Sequence, residues 1–125
     1  MKFYECRSCG NIINYQREVR QGVSCCGRVM LEMEPNMVDA SSEKHKPVVE
    51  ENGRNVLVHV GEIPHPMENV HHIQWVILET SRGYYKRHLQ PGAAPVARFT
   101  MQEDEEVRSV YEYCNLHGLW KSPRQ

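Results

Sequence analysis

Pro47-Val48-Val49-Glu50-Glu51-Asn52-Gly53-Arg54-Asn55-Val56-Leu57-Val58-His59-Val60 is the stretch from which the fold is read. Runs rich in β-branched residues flank Glu51 to Arg54, and Asn52-Gly53 is a hairpin-turn signal. In the second run Val56, Val58 and Val60 share one face, and Asn55, Leu57 and His59 share the other. Downstream, His71 to Thr80 reads as a longer strand. Tyr84 to Gln90, Pro95 to Met101 and Val107 to Tyr113 follow, divided by Gly, Pro or acidic turns. Short strands spaced this way predict a mainly β, antiparallel sandwich. No segment shows a helical period, and Glu103 to Glu106 reads as a solvated turn.

Outward from this block, the composition narrows the function. The chain has 125 residues, 5 Cys and 7 His, with a formal charge of −1. No run approaches the ~20 apolar residues of a membrane helix. The start, MKFYECRSCG, has no apolar core of a secretory signal. Near-neutral charge argues against nucleic acid as a partner. We therefore expect a cytoplasmic protein without membrane or nucleic-acid partners. In that compartment cysteines stay reduced and hold metals or do chemistry.

The metal-binding residue types cluster in two places. Cys6, Cys9, Cys25 and Cys26 lie at one end, and Cys114 lies near the other. Six of the seven histidines lie between residues 45 and 88, and His117 follows Cys114. Two modules are expected, 1–36 and 37–125, parting near Glu34-Pro35-Asn36. Asp39-Ala40-Ser41-Ser42 reads as a polar connector. The first module is too short for a hydrophobic core alone, because chains below ~40 residues usually need a metal, disulfides or a partner.

Cys6-x-x-Cys9 and Cys25-Cys26 offer four thiolates to one ion. Four sulfurs in a tetrahedron suit Zn²⁺ or a single Fe, and spacing leaves both open. Neighbours in extended chain point to opposite sides, so Cys25 and Cys26 share an ion only where the backbone bends. Gly22 and Gly27 flank the pair and are expected to supply the bend, as Gly10 does after Cys9.

In the second module Glu43-Lys44-His45, Pro64-His65-Pro66-Met67-Glu68-Asn69-Val70-His71 and Cys114-Asn115-Leu116-His117 form a mixed N/S donor set. By strand parity His71 shares a face with Ile73, Trp75 and Ile77, and His72 lies opposite with Gln74. A regular strand does not aim both at one metal, and His71 is preferred because His72 takes the more polar face. His59 and His88 read as surface residues. Spacing also admits solvated histidines on a sandwich, or a cupredoxin-like copper site built on Cys114, His117 and one earlier His.

With these motifs in place, the chain resembles the desulfoferrodoxins, the two-iron form of superoxide reductase. The likeness spans nearly the whole chain. It rests on Cys6-x-x-Cys9 with Cys25-Cys26, on E-K-H at Glu43 to His45, on P-H-P-M-x-x-x-H at Pro64 to His71, and on C-N-L-H-G-L-W at Cys114 to Trp120. It implies a small desulforedoxin- or rubredoxin-like module holding Fe(Cys)₄, then an immunoglobulin-like catalytic β-sandwich, in a homodimer. It implies two irons per chain. Cys6, Cys9, Cys25 and Cys26 would hold the first. His45, His65, His71 and His117 would be the four equatorial ligands of the second, with Cys114 as axial thiolate. Glu43 would take the sixth position after oxidation, and Lys44 would be the cation beside the open face. Family members carry an aromatic residue where His72 stands, which supports leaving His72 out. The implied activity is one-electron reduction of superoxide to hydrogen peroxide, with an external donor such as rubredoxin. An electron-transfer protein without a substrate site, and a zinc-stabilised binding module, are the competing classes.

Overall fold

A computed structural model of the protein describes residues 1–15, 21–36 and 42–123. The chain forms two compact units, Met1–Glu34 and Pro35–Gln125. Residues 39–41 of the expected connector lie outside the described residues. Asn36 belongs with the second unit. Its N–H donates to the Leu119 carbonyl at 2.8 Å, and its carbonyl accepts from Lys121 N–H at 3.1 Å.

The first unit has little apolar material to fold on. Strands β1 (Phe3–Glu5), β2 (Ile12–Asn14), β3 (Ser24–Cys25), β4 (Arg28–Val29) and β5 (Leu31–Glu32) are all short. They form an antiparallel sheet in the order β2-β1-β5 and a separate β3-β4 hairpin. Phe3, Cys6 and Met30 are its buried hydrophobic residues among those described. So small a core leaves stability to cross-links or a metal.

In the second unit, the first helix or strand among the described residues is one helical turn, α1 (Ser42–His45), where the sequence showed no helical period. Strands β6 (Pro47–Asn52), β7 (Asn55–Val60), β8 (Ile73–Thr80), β9 (Gly83–His88), β10 (Val96–Thr100), β11 (Val107–Cys114) and β12 (Gly118–Pro123) follow. They make two antiparallel sheets, β10-β7-β6 and β12-β11-β8-β9. The β6–β7 hairpin turns at Gly53-Arg54, within the expected turn. Val56, Val58 and Val60 of one sheet pack in a common core with Val76, Leu78 and Val110 of the other. Burying each such side chain contributes about 1.5–3 kcal/mol.

Strand β12 is absent from the sequence reading, and the burial explains why. Leu119 and Trp120 are consecutive and both buried, so no period of two marks the strand. Strand β8 also departs from simple parity. Its pairing with β11 shifts register between Tyr113 and Cys114, so Tyr113 faces Trp75 while Cys114 faces Ile73. Ile73, Val76 and Leu78 therefore enter the core. Trp75 instead stacks on Tyr113, with ring centroids 5.5 Å apart. An extra residue in one strand reverses the faces beyond it, so the expected single face for His71, Ile73 and Trp75 does not form.

The acidic turn after β10 is anchored by Glu105. Its carboxylate accepts from the Tyr85 hydroxyl at 2.5 Å, from the Thr80 hydroxyl at 3.3 Å and from Gln102 N–H at 2.9 Å.

Candidate metal centres

In the first unit, the loop after β1 carries Cys6 and Cys9 and closes through Gly10 N–H donating to the Cys6 carbonyl at 2.8 Å. Cys25 and Cys26 sit on the β3–β4 turn. The required bend is there: Cys26 has φ 53° and Gly27 has φ 74°. Both lie in the left-handed region, which glycine enters without a steric penalty. Gly22 has a different role from the one expected. A Cβ there would stand 2.7 Å from Val29 Cγ1, so Gly22 permits close packing and supplies no left-handed bend.

The four sulfurs converge. Cys9 and Cys25 Sγ are 3.6 Å apart, Cys25 and Cys26 Sγ are 4.0 Å apart, and all four lie within 4.8 Å of one another. A tetrahedral ion with metal–sulfur bonds of about 2.3 Å needs sulfur–sulfur edges of roughly 3.8 Å, so the cage fits. Electrostatics agree with this. Backbone N–H groups of Cys9 and Ser8 help to bring Cys6 down to about 6. The sulfurs of Cys9 and Cys6 push Cys26 up to about 12. Four thiolates this close repel one another unless a cation lies between them.

In the second unit, five donors come from three places. The α1 turn presents His45. The segment between β7 and β8 presents His65 and His71. The β11–β12 hairpin presents Cys114 and His117. His65 is held by its N–H bonding to the Val60 carbonyl at 2.9 Å. Glu68 and His71 exchange two backbone hydrogen bonds, of 2.9 and 3.1 Å, which fix a tight turn. His71 and His72 precede β8, so strand parity does not govern where they point.

The ring atoms meet at close range. His45 Nε2 lies 3.0 Å from His65 Nε2 and 2.9 Å from His117 Nδ1. Cys114 Sγ lies 3.7 Å from His117 Nδ1. Donors of all five residues fall within 4.8 Å of one another. Neighbouring nitrogens around an ion bonded at about 2.1 Å stand roughly 3 Å apart, as these do. His71 Nε2 is buried with no hydrogen-bond partner, as expected of an atom reserved for a metal. His65 Nδ1 lies 2.7 Å from the Pro66 carbonyl, which places the proton on Nδ1 and leaves Nε2 free as a donor. These residues fit a mixed N/S transition-metal site.

Burial brings His65 down to about 4 and holds His71 below its ordinary range. Neutral imidazoles are the form that binds metal. Burial pushes the Cys114 thiol up, while N–H groups of Leu116 and His117 work the other way by stabilising the thiolate. His45, His65 and Cys114 are buried, His71 is half-buried and His117 is exposed. The site therefore reaches the surface along its His71 and His117 edge.

The remaining residues of interest fall into place around this group. Lys44 is exposed, and its charge reaches His71 and helps to lower it. Glu43 lies on the α1 turn, but its side chain is outside the described ones. His72 is half-buried and not among the five donors. Its Nδ1 is buried without a partner, so it is less exposed than the sequence suggested. His59 is half-exposed beside Glu50 at 3.7 Å, and His88 is exposed. The sequence reading gave no structural part to Trp120. Its ring stacks on His45 at 4.8 Å and 14°, and no spacing rule announces such a contact.

Residues 37–123 match the family model described as Desulfoferrodoxin. The chain is 41% identical over 122 residues to a desulfoferrodoxin homolog of Archaeoglobus fulgidus, covering 98% of this chain and 96% of that one. It is 42% identical to a desulfoferrodoxin of Syntrophotalea carbinolica, covering 98% and 95% of the two. Among solved structures, the superoxide reductase of Treponema pallidum superposes with a TM-score of 0.83 at 34% identity, covering 97% of this chain and 96% of that one.

Proposed function

Because this chain belongs to the desulfoferrodoxin family, we propose that it is a superoxide reductase working at an iron held by His45, His65, His71, His117 and Cys114. The observation that carries this reading is the meeting of four imidazoles and one thiol, donor atoms within 4.8 Å, from three separate parts of one unit. Iron bound there would supply the one electron that, together with two protons, converts superoxide to hydrogen peroxide. With these five donors, the iron would still be able to accept a small anion as a further ligand.

The chain's own residues do the rest. The positive charge of Lys44 is felt at His71, and it would favour the approach of an anionic substrate to that edge. With a net charge of −1, steering relies on this local field. Glu43 would be the carboxylate that binds the iron after oxidation, since ferric iron prefers a hard anionic oxygen. Burial disfavours a Cys114 thiolate and the N–H groups of Leu116 and His117 partly offset it, so a bound cation would complete the deprotonation and make the sulfur an electron-rich ligand.

The sulfurs of Cys6, Cys9, Cys25 and Cys26 would hold the other iron, in a desulforedoxin-like module formed by the first unit. An external one-electron donor, for which a rubredoxin would be suited, would be needed to restore the ferrous form. A homodimer is part of this reading, as the family resemblance implies. Among the described residues no helix is long and apolar enough to cross a membrane. Cysteines that hold metal rather than form disulfides favour a reducing compartment such as the cytoplasm.

Metal analysis together with a superoxide-consumption assay tests the reading. About two irons per chain, with hydrogen peroxide formed as superoxide disappears, is the expected result. Zinc in place of iron, without consumption, would assign a zinc-stabilised binding module. Iron at both sites without consumption would assign an electron carrier.

A further inference from the structure

We infer that Asn115 is a positioning residue for the catalytic iron, because its side-chain amide grips the peptide groups on both sides of His71. The inference rests on the five-donor site proposed above. Asn115 follows Cys114 directly and stands two residues before His117, so it moves with two of the donors. Its Nδ2 donates to the Val70 carbonyl at 2.9 Å. Its Oδ1 accepts from His72 N–H at 2.9 Å. Its own backbone N–H donates to the His72 carbonyl at 3.2 Å. The Val70 carbonyl and the His72 N–H belong to the two peptides that meet at the His71 Cα. One side chain therefore ties down the backbone on either side of a single ligand.

The clamp sits where strand pairing gives out. Strand β8 begins at Ile73, so no ladder bond of that strand holds His71. The β8–β11 register also shifts between Tyr113 and Cys114. Among the described residues, the hydrogen bonds of Asn115 tie the His71 segment to the hairpin bearing Cys114 and His117.

Asparagine is chemically suited to this place. One partner is an acceptor and the other a donor, which also decides the amide's orientation. Aspartate would keep the bond to His72 N–H but set an oxygen against the Val70 carbonyl. Leucine of similar shape would make neither bond. Partners that orient a metal's ligands typically account for about 10- to 100-fold in metal affinity or activity.

The test uses the full-length, iron-loaded protein with Asn115→Asp and Asn115→Leu. Three readouts are taken: loss of catalytic-site iron to a chelator, the ferric spectrum of that site, and its reduction potential. Both variants are expected to release this iron about 10- to 100-fold more readily, with an altered ferric spectrum, while the four-thiolate spectrum stays as in the wild type. If Asn115→Leu fails to fold, Asn115→Asp carries the test, since it is nearly isosteric. Hydrogen exchange at the His72 amide adds a direct readout and should quicken in a folded variant that has lost the bond. Wild-type chelator resistance, spectrum and potential in the variants would overturn the inference and leave the iron-site reading standing. A wild-type protein that takes up no iron at the histidine site would overturn both.

Discussion

His45 and His65 bring their Nε2 atoms to 3.0 Å of each other across a separation of 20 residues. Two neutral imidazoles set nitrogen to nitrogen satisfy at most one hydrogen bond. His65 Nδ1 already lies 2.7 Å from the Pro66 carbonyl, so its Nε2 lone pair faces inward. With His117 Nδ1 also 2.9 Å from His45 Nε2, the arrangement gains most from a shared cation. The predictions below follow from that geometry and its surroundings.

Replacing Cys114 with serine should abolish superoxide reduction and leave the absorption of the four-thiolate iron in place. The sulfur is fully buried, 3.7 Å from His117 Nδ1, and a hydroxyl is a poor substitute for a thiolate. Stopped-flow measurement of superoxide decay checks this. Undiminished turnover would remove Cys114 from the ligand set.

Lys44→Ile should slow the second-order reaction with superoxide. The deficit should be greatest at low ionic strength and should narrow as salt screens the wild-type lysine. A rate equal to wild type at every salt concentration would take Lys44 out of the mechanism.

His71→Ala should lose catalytic iron, whereas His72→Ala should retain it. His71 Nε2 belongs to the five-donor group, while His72 is not among the donors. Metal content and the ferric spectrum of the two variants decide the matter. The reverse pattern would exchange the two assignments.

The Tyr85 hydroxyl, and after it the Gln102 N–H, hold Glu105 below its ordinary value of 4.5. A carboxylate lowered in the folded state contributes stability above its unfolded pKa, and that contribution is lost as pH falls through the folded value. The wild type should therefore lose stability on acidification below about 4.5 more steeply than Glu105→Gln. Denaturant melts across that range measure it. Equal slopes would show that the Glu105 contacts carry no weight.

Cys9→Ser should cost the first unit its metal and its order without melting the second. The unit's few buried apolar residues include Phe3 and Met30, too small a core to stand alone. Backbone resonances of the two units, followed separately, give the readout. A fully folded first unit in metal-free Cys9→Ser would contradict this account of its stability.

Much of this protein is local chemistry and was legible as such. Val56, Val58 and Val60 alternate with Asn55, Leu57 and His59, and the valines are buried. The Asn52-Gly53 signal places a hairpin, and the Cys-x-x-Cys pair places two sulfurs on one turn. Such features depend on residues a few positions apart, which is the range over which period and turn chemistry operate. The sequence also held the donor types of both metal sites. The resemblance, more than spacing, separated His45, His65, His71 and His117 from the other histidines.

Other features were decided only when distant segments packed. The register shift opposite Tyr113 and Cys114 moves Ile73 into the core and defeats an argument from strand parity, because one inserted residue reverses a face. Strand β12 exists through its pairing with β11, and its consecutive buried Leu119 and Trp120 carry no period. The stack of Trp120 on His45 and the Asn115 grip around His71 join residues far apart in the chain. The sequence by itself determined which atoms were available to hold metal. Tertiary structure decided which of them meet, because donor separations near 3 Å are set by the packing of two sheets and their loops, to which no local pattern is sensitive.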